Sequence, residues 1–488
     1  MIKTNIPFIG GAGGYFGQQL DPQKTINMFV GEVNGAGQKA LITIPGSRLL
    51  HTEEGKNNTR ALFENTDNLF AVFGDTLINF DNALTPVTVG TFNTSAGYVG
   101  VQANNSQQIV FVDNVEGWVY DFSSTPTWTQ ISDTDFTSLN GPIDVDFLDG
   151  FIIVGFSGSN TWAISDIDDA TSWNALNRAE LTTDGNERIT GIRVLEDLLF
   201  IFGRKVTEIW YNSGVGSSFP FVRNSNLTMQ YGCAATASIA RGNLSNGESV
   251  LAWLASDKNG APTVRVTNGG KSQAISDAAI EYRIEQLDTI DDAAGYIYQV
   301  DGHTFYFLNF PTEDLTVVYD FDSGEWHDQQ MIDGSQYFSC CHAYFQKKHI
   351  LGHTSAGKIS QLSSDFTKND DEAIHCVRVT PIFSLPAEQR AKAARFQIEM
   401  RQGLGLKESD EKNDADFDPK VYLSFSSNGG YTFGEQVSHS IGRVGEAGWL
   451  TMGIDYSLSD RLCWRIECMN GVKNIWLNAA VLMTNEGY

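Results

Sequence analysis

Residues Ile189 to Tyr211 (ITGIRVLEDLLFIFGRKVTEIWY) constrain the fold more than any other stretch of the chain. Apolar and polar residues alternate, then Glu196-Asp197 marks a turn, a run of apolar residues follows, and Gly203-Arg204 marks a second turn. Alternation with period two, broken by turn residues, is typical of short antiparallel strands. The stretch therefore predicts three strands that fold back on one another without a helix between them.

The same pattern recurs along the chain, with copies anchored near residues 69, 109, 151, 198, 250, 304 and 350. The successive spacings are 40, 42, 47, 52, 54 and 46 residues. One small sheet cannot cover both of its apolar faces, so such units must stack on their neighbours around an axis. The repeats predict a β-propeller with seven blades, and six blades is the alternative.

The whole chain is predicted to be all-β. Its 488 residues exceed one ordinary core, so additions to the repeat array are expected. Glycines interrupt the start of the chain, and the last strands have a longer spacing that suggests a β-sandwich. We predict an N-terminal extended arm over residues 1–50, propeller repeats over 51–372, and a β-sandwich-like domain over 373–488 with a mobile acidic loop at 403–420.

Helical patterns are rare in this sequence. Residues 276–294 place Ile280, Ile284 and Leu287 at helical spacing after a possible cap at Asp277, which predicts a surface helix. A second, short helix is predicted around Ala234 to Ala240.

Composition restricts the partners and the compartment. The chain has 33 basic and 59 acidic residues, a net charge of −26, which argues against binding along a nucleic-acid backbone. Six irregularly spaced cysteines predict reduced thiols rather than disulfides. We find no signal-peptide pattern and no apolar run of membrane-spanning length, so synthesis in the cytoplasm without membrane insertion is expected.

One motif resembles a known hairpin. Ser426 to Phe433 (SSNGGYTF) matches the Asp-box pattern, in which an Asn or Asp side chain holds turn amides and an aromatic ring packs below. We interpret it as a structural hairpin. Glycoside hydrolysis also requires two carboxylates at a defined separation, for which Asp166, Asp168 and Asp169 are candidates, although their spacing is that of a turn.

Other candidate sites fail on spacing. Gly269 to Ser272 imitates a phosphate loop, but residue 265 is Arg where the first glycine is required, and the glycines between residues 10 and 17 lack dinucleotide spacing. His349 and His353 would lie about 13 Å apart on one strand at ~3.3 Å per residue, too far for one zinc ion shared with Cys340, Cys341 and His342. We therefore predict no catalytic, cofactor-binding or metal-binding residue, and no enzyme.

The order of several segments resembles the tail accessory, or packaged-DNA stabilisation, protein family of short-tailed bacteriophages. The segments are DPQKTINMFVGE with Pro45-Gly46, TWAISDIDDATSWNALNRAE, DGNERITGIRVLEDLLFIFGRKVTEIWYNSG with SFPFVR, MQYGCAATASIA, VVYDFDSGEWHDQ and KVYLSFSSNGGYTFG. The resemblance implies a hexameric, β-propeller-containing tube below the portal and its adaptor ring. It also implies contacts with a tail needle or plug and with tailspikes or fibres.

These observations lead to one hypothesis and two alternatives. We expect a structural virion protein, made in the host cytoplasm, that forms a hexameric tail nozzle or hub, retains packaged DNA and conducts it during ejection without binding it specifically. A glycan-binding or sialidase-like propeller is the alternative, and it predicts Arg and Glu clustered near the blade axis. A monomeric scaffold that binds peptides is the third reading.

Overall fold

The protein is described by a computed structural model that covers residues 2–13, 21–33, 37–182, 187–214, 219–383, 391–407, 414–446, 450–457 and 461–485. Seven small antiparallel sheets surround one axis and form the blades of a propeller, so the predicted all-β propeller is confirmed. The first strands of neighbouring blades line the axis, and those of the first and seventh blades also contact each other, which closes the ring.

The first four blades are regular four-stranded meanders. Blade 1 contains Thr59–Asn65, Asn68–Phe73, Thr76–Phe80 and Pro86–Thr91. Blade 2 contains Gly100–Ala103, Gln108–Val112, Gly117–Asp121 and Thr127–Gln130. Blade 3 contains Pro142–Leu148, Phe151–Phe156, Thr161–Asp166 and Asp169–Glu180. Blade 4 contains Ile189–Leu195, Leu198–Gly203, Thr207–Asn212 and Phe221–Arg223.

The last three blades depart from this plan. Blade 5 contains Tyr231–Cys233, Ala240–Asn243, Ser249–Asp257, Pro262–Thr267 and Gln273–Ala274, and its first two strands both pair with the third. Blade 6 contains Ala294–Val300, His303–Phe310, Leu315–Asp320 and Trp326–Asp328. Blade 7 contains Ser339–Phe345, Lys348–His353 and Lys358–Ser363, and Gly46–Thr52 from the N-terminal part of the chain is its outer strand.

The repeat units predicted from the sequence occupy equivalent positions. Leu69, Phe151 and Leu198 each lie at the start of the second strand of their blade. The turn before this strand requires a left-handed residue, which Asp149 and Glu196 supply with φ values of 51° and 52°. Polar turn residues followed by an apolar strand are therefore the sequence pattern that a blade produces.

A second β-domain is built from both ends of the chain. One of its sheets contains Ile2–Ile6, Met28–Glu32, Lys39–Thr43, Ala391–Met400, Leu450–Ser457 and Ile475–Asn485. The other contains Lys24–Ile26, Cys376–Val379, Lys420–Ser426, Val437–Ser440 and Cys463–Cys468. The N-terminal segment, predicted as an extended arm, thus runs through strands of this domain, because its alternating apolar residues find partners at the other end of the chain.

The propeller and the second domain share a sheet. The outer strand of blade 6 lies parallel to Lys24–Ile26, with Ile26 opposite Asp328, and the sheet continues into Cys376–Val379. One apolar cluster also joins blades 6 and 7 to both sheets of the second domain, through residues such as Phe305, Leu351, Phe29 and Trp464. The second domain is therefore fixed against blades 6 and 7 by hydrogen bonds as well as by buried apolar surface.

A fully buried arginine holds the N-terminal segment in this junction. The Arg378 guanidinium donates to the carbonyl oxygens of Phe8 and Gly11 at 2.7 and 2.9 Å, and to Thr25 Oγ1 at 2.8 Å. Burial lowers its pKa to about 10, which still leaves the group charged at neutral pH. Gly11 must be a glycine, because a Cβ there would lie 2.5 Å from the carbonyl oxygen of Trp326.

Helices are short in the described residues. The helix predicted over residues 276–294 is Ala278–Glu285, and Asp277 caps it by accepting from the Ile280 amide at 2.8 Å. Around residues 234–240 the chain forms a 3₁₀ turn, Thr236–Ser238, instead of an α-helix. The remaining helical pieces are Thr134–Thr137 and the 3₁₀ turn Ser225–Leu227. Neither α-helix has the length or apolar character needed to cross a bilayer.

The predicted domain boundaries at residues 50 and 372 stay predictions. Residues 408–413 of the predicted mobile loop lie outside the described residues. On its C-terminal side the loop is anchored, since Asp416 accepts from Lys368 Nζ at 2.8 Å and from the Gly471 amide at 2.7 Å.

We expect Arg378→Met to destabilise the protein by about 3–5 kcal/mol, because the buried carbonyl oxygens that it serves would lose their donor. The change is measured as a lower midpoint of urea unfolding. Arg48→Met is the matched control: Arg48 is exposed and stacks on Phe366 at 4.3 Å, so its loss should cost less than about 1 kcal/mol. Equal midpoints for both variants would contradict this assignment.

A histidine at the same junction makes stability depend on pH. His303 Nδ1 lies 2.8 Å from Asp320 Oδ2, and its ring packs 4.9 Å from that of Phe29 in the second domain. The hydrogen bond with Asp320 raises the pKa of His303 above its usual value. The resulting stabilisation is complete below the unfolded pKa of about 6.5 and is lost as the pH rises through the folded pKa.

We therefore expect the difference in thermal midpoint between the native protein and His303→Gln to be larger at pH 5.5 than at pH 8.5. Comparing the two proteins at each pH removes contributions from other titrating groups. A difference that is the same at both pH values would show that His303 contributes by packing alone.

Candidate functional site

A cavity of about 1340 Å³ runs along the propeller axis. Its wall is formed mainly by the innermost strands of the blades and by the loops at one end of the axis. This is the usual location of ligand sites in propellers, since residues from several blades converge there.

The charges around the cavity are mixed rather than acidic. Its charged lining residues are Arg60, Arg188, Arg193, Arg204, Arg241, Asp113, Asp146, Asp291 and Asp292. Arg60 has a structural role, because it donates to the carbonyl oxygens of Gly74, Thr94 and Gly97. The Glu residues that a sialidase-like funnel was expected to place there are not among the lining residues of the described chain.

Two buried aspartates connect the blades beside this cavity. Asp144 and Asp146 lie on the innermost strand of blade 3 and accept from the amides of Ile192 and Val194 in blade 4, at 3.0 and 2.8 Å. Asp146 also accepts from Gln102 of blade 2 at 2.7 Å. The two carboxylates therefore replace the missing ladder hydrogen bonds between neighbouring sheets.

Arg193 completes this network. It donates to Asp144 Oδ1 at 2.7 Å and to the Tyr98 hydroxyl at 2.8 Å, while Tyr98 donates to the same Asp144 oxygen at 3.1 Å. Burial raises the pKa of Asp144, and the Arg193 guanidinium acts in the opposite direction. With a guanidinium and several N–H donors around it, Asp144 is held as a carboxylate whose function is to join blades 2, 3 and 4.

Sequence reasoning missed these aspartates. The signal was available, since IDVDF (143–147) places two acids at period two on one face of an otherwise apolar strand. A pair of acids on a buried strand must find donors, and in a propeller the nearest donors are the amides of the next blade.

The carboxylates that were considered for glycoside hydrolysis lie away from the propeller axis. Asp166, Asp168 and Asp169 lie in the turn between the third and fourth strands of blade 3. None of them lines the axial cavity. Asp166 instead accepts from Ser172 Oγ at 2.7 Å, and Asp169 accepts from Thr171 Oγ1 at 2.7 Å, as turn-forming residues do.

The Asp-box segment forms its hairpin in the second domain. Asn428 Oδ1 accepts from the Thr432 amide at 3.1 Å, Ser426 Oγ accepts from the Gly430 amide at 2.9 Å, and Gly430 has a positive φ of 92°. Phe433 packs on the apolar group that contains Val377. Every part of the motif is used by the turn itself.

The cysteine and histidine side chains that were considered for zinc binding form hydrogen bonds with different partners. Cys340 Sγ donates to the carbonyl oxygen of Thr59 at 3.0 Å, whereas His353 Nε2 lies 2.8 Å from Ser360 Oγ. His342 and His349 bond to each other at 3.0 Å, and burial lowers the pKa of His342 to about 3. These side chains do not converge on one point.

One other group in the described residues has the spacing of metal ligands, namely His303, Asp320 and Asp322. Its oxygens already accept hydrogen bonds, from the Thr304 amide to Asp322 at 2.7 Å and from Ser323 to Asp320 at 2.7 Å. The residues Gly269 to Ser272 form a turn in which Thr267 Oγ1 donates to the carbonyl oxygen of Gly270 at 3.0 Å.

These features define a class of protein: a seven-bladed propeller joined through a shared sheet to a second β-domain. Comparison with known families then gives the family. A family model described as bacteriophage P22 Gp10, β-propeller, matches residues 5–367. The chain belongs to this family, in agreement with the resemblance seen in the sequence.

One curated relative also matches the chain. The tail hub protein gp10 of Salmonella phage P22 is 24% identical over 313 residues, which are 61% of this chain and 61% of that protein. The match thus spans about three fifths of the length of this relative.

Solved structures with similar folds are more distant. Virginiamycin B lyase of Staphylococcus aureus is 9% identical with a TM-score of 0.44, over 65% of this chain and 98% of that one. The Pan2 WD40 domain of Neurospora crassa is 10% identical with a TM-score of 0.41, over 66% and 95%. The designed protein Ika8 is 12% identical with a TM-score of 0.39, over 65% and 99%. At this level of similarity these structures say nothing about what the chain binds.

We expect Asp144→Asn to lower the free energy of unfolding by about 3 kcal/mol, since it leaves the buried Arg193 without its counter-ion. Urea unfolding followed by tryptophan fluorescence measures the loss. Asp75→Asn is the matched control, because Asp75 forms a solvent-exposed ion pair with Lys56 that is worth less than about 1 kcal/mol. A similar loss in both variants would refute the role of Asp144 in joining the blades.

Proposed function

We propose that this protein is a structural component of the tail of a short-tailed bacteriophage, a nozzle or hub below the portal and its adaptor ring. The observation that carries the proposal is the family match over residues 5–367, together with a relative that is a tail hub protein. The shared sheet between propeller and second domain supports it, because a virion component under load must move as one body.

We also propose that six copies form a ring through which the genome leaves the particle. The axial cavity of a single propeller, about 1340 Å³, is closer to a small-molecule site than to a DNA duplex, so the channel would run between copies. Repetition of one head-to-tail contact around a six-fold axis creates such a channel.

The net charge supports conduction without adhesion. With 59 acidic and 33 basic residues, the protein repels a phosphate backbone over distances comparable to the Debye length, which is about 8–10 Å at moderate salt. The same repulsion opposes non-specific binding, so the packaged DNA would be held by a closed tip and not by the wall. The head-side adaptor ring and a distal needle, tailspike or fibre are the partners of this arrangement.

We expect the purified protein to bind to tail adaptor rings as six copies and to give six-fold density below them in cryo-electron microscopy. Mass photometry of the same sample gives the number of copies. The 53.7 kDa chain should add close to six times its mass to each adaptor ring. Monomers that never associate with adaptor rings or with each other would refute the proposal.

A further inference from the structure

The negative charge of the chain is unevenly distributed. Residues 373–488 contain 12 basic and 14 acidic residues, so 24 of the 26 excess negative charges belong to residues 1–372. The second domain is therefore nearly neutral, while the propeller is strongly acidic. A basic surface on the second domain of one copy can therefore attract an acidic surface on the propeller of another copy.

An acidic surface with an apolar centre lies at one end of blades 3 and 4. We call it the blade 3–4 patch, and it consists of Asp149, Asp166, Ile167, Asp168, Glu196 and Asp197. Ile167 is 66% exposed between its two acidic neighbours, and its Cγ2 approaches the neighbouring turn at Gly150. Within the described residues, none of the five acids has an ion-pair partner.

A basic surface with an apolar centre lies on the second domain. Leu482 is paired with Lys3 on one side and with Arg395 on the other, and Arg395 is paired in turn with Gly453. Directly paired residues of an antiparallel sheet project from the same face, so these four form one row, which we call the basic sheet face.

This row faces solvent while the opposite face of the sheet packs into the core. Lys3 and Arg395 are exposed, and neither forms an ion pair within the part of the chain that the structure describes. Phe396 and Met452, one residue further along their strands, are buried in the main apolar cluster. Gly453 leaves open space beside Arg395, and Glu399 is an acid on the same face.

The two surfaces lie on opposite sides of the molecule. In a ring of seven blades, blade 3 is across the axis from the boundary between blades 6 and 7, where the second domain is attached. The second domain also reaches the end of the axis on which the patch lies, because its Lys473 pairs at 3.5 Å with Asp301, which occupies the blade 6 turn equivalent to Asp149. Complementary surfaces on opposite sides give a head-to-tail contact.

We propose that the blade 3–4 patch of one copy docks on the basic sheet face of a second copy. This inference rests on the proposed function, and it names the contact that closes the ring. Ile167 between two aspartates meets Leu482 between a lysine and an arginine. Patch-to-patch and face-to-face pairing are opposed by like charges, so only the head-to-tail order forms.

The test uses two charge-reversed variants of the full chain. One carries Asp149→Lys, Asp166→Lys and Asp197→Lys, which leaves the patch with three positive and two negative charges, and the other carries Lys3→Glu and Arg395→Glu. Each variant alone brings like charges together at every contact, so the concentration for half-maximal assembly on adaptor rings should rise at least about tenfold. An equimolar mixture restores opposite charges at every contact of an alternating ring, so assembly should return to within about threefold of the native protein.

Glu54→Lys is the control, because Glu54 is exposed and lies outside both surfaces, and it should leave assembly unchanged. Thermal midpoints equal to that of the native protein show that the variants fold. Native rings that also form from each variant alone would overturn the inference and leave the proposed function standing. Absence of rings from the native protein would overturn the proposed function itself. Unchanged assembly with reduced retention of duplex DNA by the Lys3→Glu, Arg395→Glu variant would make the basic sheet face a nucleic-acid contact, contrary to the inference.

Discussion

The structure depends on the need to cover both apolar faces of a small sheet. Most blades contain a second strand that is largely apolar, such as Leu198–Gly203, and a single sheet of this size leaves one of its faces in water. Stacking covers the faces of successive blades, but a linear stack would still expose its two ends. Closing the ring covers the remaining faces of the first and seventh blades. Gly46–Thr52 stabilises the closed ring, because its hydrogen bonds with blade 7 join distant parts of the chain.

Sheets that meet face to face have no hydrogen bonds between them, so the blades need other polar connections. Asp144 and Asp146 provide them next to the axis, where they accept from main-chain amides of the following blade. At the junction with the second domain, Arg378 provides a polar connection by donating to carbonyl oxygens of the N-terminal segment. In both places a buried charge is stable because its hydrogen-bonding groups are fully engaged, and the same engagement fixes the relative position of the parts it joins.

The propeller and the second domain act as one body because they share a sheet and an apolar cluster. The proposed role in a phage tail requires this rigidity, because a hinge between the two parts would let attached components move relative to each other. The axis of the propeller, by contrast, is lined by residues that are largely engaged with each other. For a protein of this family, the surfaces that face neighbouring copies are therefore a better place to look for function than the cavity.

The sequence by itself determined the local elements. Apolar runs between polar turns predicted the second strand of every blade except blade 5, where the run is the third strand, and the Asp-box residues predicted their own hairpin, because both depend on contacts within a few residues. The order of motifs also led to the family. Helix length was overestimated over residues 276–294, since an apolar spacing does not show where tertiary contacts end a helix.

Only the tertiary structure decided which distant segments meet. Residues 24–26 and 46–52 belong to different sheets, and nothing in their composition distinguishes a strand that extends blade 6 from one that completes blade 7. The pairing of Asp144 with Arg193, and of Arg378 with the start of the chain, likewise depends on how the ring closes. Strand pairing and buried ion pairs are set by long-range packing, so the local alternation of residues specifies that a strand exists but leaves its neighbour to the fold.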